Sequence, residues 1–240
     1  MTDKEYSSIV SGLFDRLATS YDRGNMLISL GLMPFWRNAA IAQLRKIRPK
    51  YVLDLATGTA DFAEAIAKEI PSIKHIIGAD ISSEMLKVGR KKIYKKGLSE
   101  VITLVEANAL DLPFADESFD TVTCAFGFRN FPSISRSLVE ACRVLEPGGH
   151  LIILELSEPR NKILRSGHHI YTRTLLKILG KYANFDGNAC NYLHNTIENT
   201  PQYEELAELI RAAGFENISF QPLSTGIATL FVAKKKSISA

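Results

Sequence analysis

From Tyr51 onward, short apolar runs rich in β-branched residues alternate with amphipathic stretches of helical period. That alternation admits few folds. Each apolar run reads as a buried strand and each stretch between as a crossover helix, which gives a parallel sheet with helices on both faces. Strands are expected at Tyr51–Ala56, His75–Asp80, Val101–Glu106, Phe119–Phe126 and His150–Leu156. Helices fall near Ala60–Ile70, Ser83–Lys96 and Ser133–Leu145, with Ser82 as the N-cap of the second.

Two stretches flank this core. Ahead of it, Asp3–Ala18 and Pro34–Ile47 read as helices, the second opened by Pro34 in its first turn and closed before Pro49. Behind it, a helix begins at Thr200-Pro201 and stops at Gly214, and Phe215–Gln221 with Gly226–Lys234 read as a closing antiparallel hairpin. The expected fold is therefore α/β and Rossmann-like, a mostly parallel seven-stranded sheet with an antiparallel end. A length of 240 residues suits one domain, with N-terminal helices over 1–48, a ligand-binding core over 49–158, and helices plus hairpin over 159–240.

Composition removes several function classes. With 29 basic and 26 acidic residues the net charge is only +3, too even to imply nucleic acid, and none is expected as a partner. The basic run Arg90–Lys92 with Lys95-Lys96 reads as the wet face of a helix, because no aromatic stacking series accompanies it. Cys124, Cys142 and Cys190 form no Cys-x-x-Cys pair, which argues against a disulfide framework or a zinc site. The adjacent His168-His169 lack the spacing of a helical metal pair, so no metal is expected. A polar N-terminus and the absence of any apolar run near the ~18–20 residues of a membrane span point to a cytoplasmic protein.

The chemistry concentrates at the strand ends. The first strand runs through Asp54 into Thr57-Gly58-Thr59-Ala60-Asp61 and directly on into a helix. Ligands of parallel sheets bind at the carboxyl ends of strands, where helix N-termini present free N–H groups. Gly58 allows close backbone approach, and the Asp54 carboxylate suits a cationic amine. Asp80 ends the second strand, where a carboxylate receives both hydroxyls of a ribose. Asn108-Ala109 after the third strand offers an amide or backbone donor to an adenine edge. A nicotinamide dinucleotide uses the same acid but also needs Gly-x-Gly-x-x-Gly, and this loop has only Gly58, so an oxidoreductase is disfavoured. After the fourth strand, Phe126-Gly127-Phe128-Arg129-Asn130-Phe131-Pro132 faces the same crevice and suits a flat aromatic substrate with an oxygen to polarise.

These blocks resemble the ubiquinone and menaquinone biosynthesis C-methyltransferases over nearly the whole chain. Phe14–Asp22, Asn25–Arg37, Val52–Asp61, Phe126–Asn130, Pro147–Pro159 and Ala213–Phe215 carry the likeness, and the FGFRN loop with NMLISLG is its most specific part. The resemblance implies a class I methyltransferase fold and S-adenosylmethionine as cofactor, contacted by Thr59, Asp80 and Asn108-Ala109. It places Tyr21, Arg129 and Asn130 near the reacting carbon. The chain departs from the family pattern at Ala60, where glycine is usual, at Ala125, at His168, where tyrosine is usual, and at Asn188-Ala189-Cys190.

A ring carbon attacks a sulfonium methyl only when the ring is electron-rich, so the expected acceptor is a lipophilic quinol, either a naphthoquinol or a benzoquinol. Arg129 is expected to act as an electrostatic partner of the developing phenolate, with Asn130 and Tyr21 positioning the ring oxygen. A prenyl tail directs attention to Lys162–Tyr182. There Ile163, Leu164, Ile170, Tyr171, Leu175, Ile178 and Leu179 recur at helical spacing among basic residues, the pattern of a helix lying on an anionic membrane surface. A helix packed on the sheet is the alternative. A different methyl acceptor and a non-catalytic module also stay open at this point, as does assembly as a homodimer.

Overall fold

A computed structural model of the chain describes residues 2–175 and 187–237. Strands β1 (Tyr51–Leu55), β2 (His75–Asp80), β3 (Ile102–Glu106), β4 (Phe119–Ala125), β5 (Leu145–Leu156), β6 (Phe215–Leu223) and β7 (Ala228–Lys235) form one sheet in the order β3-β2-β1-β4-β5-β7-β6. The first five run parallel, and β7 is antiparallel to both β5 and β6. The expected antiparallel end is present. Because the chain winds outward in both directions from β1 and β4, their carboxyl ends flank a topological switch point, the place where open parallel sheets bind ligands.

Side chains alternate across the sheet and divide the core in two. Val52, Ile152 and Leu154 face Trp36, Ile41 and Leu44 of α3 (Met33–Ile47) and Ile66 of α4 (Asp61–Glu69). Leu53, Leu55 and Ile153 face Leu138 of α6 (Ile134–Val144) and Ile210 of α9 (Tyr203–Ala212). Burying each such Leu or Ile contributes roughly 1.5–3 kcal/mol, so the sheet centre is a rigid body from which the strand-end loops project.

Local signals set several boundaries as expected. Ser82 caps α5 (Ser83–Lys95) by accepting from the Met85 N–H at 3.2 Å. Pro34 lies in the first turn of α3, which ends at a left-handed Arg48 before Pro49. Thr2 and Glu5 form a reciprocal capping box on α1 (Asp3–Leu17).

Other elements differ from the sequence reading. β5 begins at Leu145, five residues earlier than expected, and pairs with Phe119 across a register shift. Pro147-Gly148-Gly149 hid this, since turn residues inside a bulged strand mask its period. The helix α2 (Tyr21–Ile28) has no counterpart in the sequence reading because Gly24 and Asn25 are poor helix formers in an eight-residue segment. Of the basic segment Lys162–Tyr182, residues 176–182 lie outside the described residues. The described part is α7 (Lys162–Ile170), which buries no residue, and a π-helical turn at Tyr171–Leu175. A further helix, α8, spans Gly187–Asn199. Cys124 and Cys142 are free thiols.

Candidate active site

The loop after β1 is held in an uncommon shape. Ala56, Gly58 and Ala60 all have positive φ, at 50°, 55° and 64°. For an alanine this region costs ~1–2 kcal/mol, and the strain falls where a βα loop must turn its N–H groups inward. A Cβ added to Gly58 would meet nothing within 4 Å and would project into the open crevice. Across the switch point, a Cβ on Gly127 would lie 2.4 Å from the Ala56 Cβ, so that glycine lets the β4 loop close onto the β1 loop.

Asp80 ties three loops together. Its Oδ2 accepts from the Gly58 N–H and its Oδ1 from the Ser82 N–H, both at 2.8 Å, and its main-chain carbonyl accepts from the Ala107 N–H at 3.0 Å. Burial pushes its carboxyl above the ordinary value, while the backbone donors oppose that shift. A carboxylate oxygen can accept from two donors and each of these accepts from one, so both retain capacity for ligand hydroxyls. Asn108 uses its Oδ1 to accept from the Leu110 N–H at 3.0 Å, which fixes the turn and leaves its Nδ2 donors to the crevice that it lines with Ala109.

Asp54 is 1% exposed. Its two oxygens accept from the hydroxyls of Thr57 and Thr123, each at 2.7 Å. Burial raises its pKa to about 6, against the pull of those two hydrogen bonds. A cation arriving in the crevice therefore meets a carboxylate that is readily ionised by its presence.

The crevice is roofed by α1 and α2. Ser7, Val10 and Phe14 line it from α1, whose Asp15 accepts from the Ser82 hydroxyl at 2.6 Å. Thr59 donates to Asp22 of α2 at 2.5 Å, and Lys92 binds that same Asp22 at 2.7 Å and also pairs with Asp61. Arg90, Lys91, Lys95 and Lys96 are exposed on the wet face that the sequence suggested, and Lys92 is the exception. Lys92 is a clasp between α2, α4 and α5, and Arg90 donates to the Leu104 carbonyl at 3.2 Å.

Beside the crevice lies a second, smaller and mostly apolar chamber. Tyr21, Asn25, Met33 and Phe126 line both spaces and form the passage between them. Arg129 lines the chamber and not the crevice. Its Nη1 lies 2.7 Å from Glu155 Oε1, and Glu155 also accepts from the Arg129 main-chain N–H at 3.1 Å. Burial works against the charge on Arg129, but Glu155 together with the neighbouring Tyr21 and Tyr192 outweighs it, and the guanidinium stays protonated. The sequence suggested a cation facing the ligand; the structure shows a cation already paired. Asn130 lines the crevice, and its Oδ1 accepts from the Tyr192 hydroxyl at 2.9 Å.

The structure thus gathers Asp54, Gly58, Thr59, Asp80, Asn108, Ala109, Tyr21 and Asn130 around one crevice, with Arg129 on the adjoining wall. Sequence reasoning missed Asp22, Lys92, Glu155 and Tyr192. Glu155 carried a signal, since an acid within the apolar run Leu151–Leu156 calls for a buried cation. A separate group of Glu158, His169 and Glu198 also converges near the chamber. Arg165 lies 3.7 Å from Glu158 and Arg173 lies 3.5 Å from Glu198, so these acids belong to an ion-pair network.

A parallel sheet with an antiparallel end, an acid at the tip of each of the first two strands and a strained loop between them define a class I methyltransferase. The chain matches the ubiE/COQ5 methyltransferase family over residues 1–235 and belongs to that family. A demethylmenaquinone methyltransferase from Porphyromonas gingivalis is 41% identical over 226 residues, covering 94% of this chain and 92% of that one. A ubiquinone/menaquinone biosynthesis C-methyltransferase from Bartonella quintana is 37% identical over 235 residues, covering 97% and 90%. Among solved structures, a possible histamine N-methyltransferase from Thermotoga maritima superposes with a TM-score of 0.64 at 21% identity, covering 94% of this chain and 99% of that one. Phosphoethanolamine N-methyltransferase 2 from Haemonchus contortus, in complex with S-adenosyl-L-methionine, gives 0.60 at 17% identity, covering 83% and 53%. These two likenesses concern the fold.

Proposed function

We propose that the protein transfers a methyl group from S-adenosylmethionine to a ring carbon of a polyprenylated quinol. Demethylmenaquinol is the first acceptor, yielding menaquinol, and 2-methoxy-6-polyprenyl-1,4-benzoquinol is a second. The observation that carries this reading is the apolar chamber opening from the strand-end crevice through Tyr21, Asn25, Met33 and Phe126. One space suits a polar nucleoside and the other an aromatic ring.

The crevice fits the cofactor on its own features. Gly58 leaves free the volume that a Cβ would fill, and Asp80 has acceptor capacity for two ribose hydroxyls. Asp54 supplies the negative charge for the amino group, and Asn108 with Ala109 borders the adenine edge. S-adenosylmethionine supplies an electrophilic methyl on a sulfonium sulfur. The protein contributes orientation and exclusion of water. Tyr21 keeps its phenolic proton because burial raises its pKa against the opposing pull of Arg129, so it donates to a ring oxygen. The Arg129–Glu155 pair sets the field behind that oxygen without presenting a bare cation.

The tail of such a substrate needs an exit to lipid. No helix among the described residues is long and apolar enough to cross a membrane. Two stretches next in sequence to chamber-lining residues nevertheless expose apolar side chains. Ile163 and Ile170 of α7 are 82% and 68% exposed, and Leu30, in the turn after α2, and Phe35, in the first turn of α3, are 63% and 57% exposed. The Tyr171 hydroxyl, in the turn after α7, donates to the Ile28 carbonyl at the end of α2, and both residues line the chamber. This supports peripheral contact of a cytoplasmic enzyme with an anionic bilayer. Arg165 and Arg173 are paired with Glu158 and Glu198, whereas Lys162 is exposed at the start of α7. Mass spectrometry of quinones in cells lacking the protein tests the function. Demethylated quinone should accumulate, and an unchanged quinone profile would refute the reading.

A further inference from the structure

The charges around the strand-end crevice are unequal in number. Among the described residues that line it are four carboxylates, Asp22, Asp54, Asp61 and Asp80, and one cation, Arg37 of α3. Each acid has a role already. Asp22 and Asp61 both pair with Lys92, which does not itself line the space. Asp80 suits the ribose hydroxyls and Asp54 an ammonium, so the cation is the group left to explain.

Arg37 is held only loosely by the protein. Its Nη1 lies 3.5 Å from Asp61 Oδ2, an ion pair without a hydrogen bond, while Asp61 turns its other oxygen to Lys92. The guanidinium makes no hydrogen bond to any described residue, and the side chain is 20% exposed where it borders the crevice. A guanidinium is always charged, and its planar fork matches a carboxylate through two parallel N–H···O bonds. Its place in the crevice is also informative. The strand ends run in the order β3, β2, β1, which puts Asn108-Ala109, then Asp80, then Asp54 and Gly58 in line. Arg37 meets the first residue of α4, the helix that follows β1, and so stands beyond the ribose acid at the Asp54 end.

We infer that Arg37 binds the α-carboxylate of the methionyl end of S-adenosylmethionine, which rests on the cofactor reading above. Asp54 takes the ammonium of that end and Arg37 its carboxylate. The pair makes the crevice select a whole amino-acid group, since the four acids alone would favour any cationic nucleoside. Asp61 keeps its partner when the ligand arrives, because Lys92 already holds it.

The test is titration calorimetry of the whole protein, without methyl acceptor, comparing wild type with Arg37→Met and Arg37→Lys. Three ligands are used: S-adenosylmethionine, its decarboxylated form, which keeps both the ammonium and the sulfonium, and 5′-methylthioadenosine, which lacks the amino-acid group. Wild type should bind the intact cofactor about 10–100-fold more tightly than the decarboxylated one, the range expected of charge-assisted hydrogen bonds. Arg37→Met should abolish that preference and bind 5′-methylthioadenosine as wild type does. Arg37→Lys should keep part of it, because a point charge lacks the fork. Either variant retaining the full preference would overturn the inference, as would an equal loss for all three ligands, which marks a structural role. Should Arg37→Met fail to fold, the preference of Arg37→Lys decides alone. A wild type that binds none of the three defeats the cofactor reading and this inference with it, whereas methyl transfer to an acceptor other than a quinol defeats only the proposed function.

Discussion

Glu155 lies 2.7 Å from Arg129, and the two side chains are 3% and 7% exposed. One is the acid near the end of β5 and the other belongs to the short helical turn after β4 (Phe128–Asn130), so a buried ion pair joins two strand ends beside the ring chamber. Removing one partner of such a pair costs about 3–5 kcal/mol, because the other is left buried and uncompensated. Glu155→Ala should therefore lower thermal stability strongly, and Glu155→Gln less. A calorimetric scan showing both variants as stable as wild type would contradict the pairing.

Arg129→Ala separates catalysis from cofactor binding. Since Arg129 borders the chamber and not the crevice, the variant should lose turnover at saturating cofactor far more than it loses affinity for S-adenosylhomocysteine. Steady-state kinetics with parallel calorimetry check this. A variant that lost only cofactor affinity would show the placement to be wrong.

Asp80→Asn should weaken cofactor binding without unfolding the chain. A charge-assisted hydrogen bond contributes about 1.5–3 kcal/mol, or roughly 10–100-fold in affinity. The asparagine keeps one acceptor for the Gly58 or Ser82 N–H, so the loops should persist. Unchanged affinity by titration calorimetry would remove Asp80 from the site.

Gly58→Ala acts on the same ligand by shape. The new Cβ enters the crevice, and φ of 55° adds backbone strain of ~1–2 kcal/mol. Both affinity and melting temperature should fall. A variant that bound the cofactor as tightly as wild type would mean that the ligand does not approach this loop.

Asp54 makes stability depend on pH. Its folded pKa of about 6 exceeds the unfolded 3.8, so the folded state favours the protonated acid. That advantage is complete below about pH 3.8 and is lost as pH rises through about 6. Two pKa units correspond to about 3 kcal/mol. Without ligand, Asp54→Asn should gain on wild type across that window in thermal unfolding, and cofactor affinity of the wild type should rise with pH through it. Parallel pH profiles for the two proteins would show that Asp54 is already ionised in the fold.

The sheet was legible because its strands and crossovers repeat with clear periods, and Ser82 and Pro34 announced their helices. Asp54, Gly58 and Asp80 were legible for the same reason, since each sits where a strand ends. The roof over the site was not. Asp22 and Lys92 lie 70 residues apart and meet only after α2 docks, and no local period encodes that contact. The pairing of Arg129 with Glu155 was equally hidden, because it depends on the neighbouring register of β4 and β5.

Methylation at a ring carbon and methylation at a quinol oxygen differ in where the methyl group goes. Incubating the protein with methyl-labelled S-adenosylmethionine and reduced demethylmenaquinone, then locating the label by fragmentation mass spectrometry, addresses this directly. The label should appear on a ring carbon of the naphthoquinol. Label on a quinol oxygen, or no transfer by a protein that binds the cofactor, would contradict it.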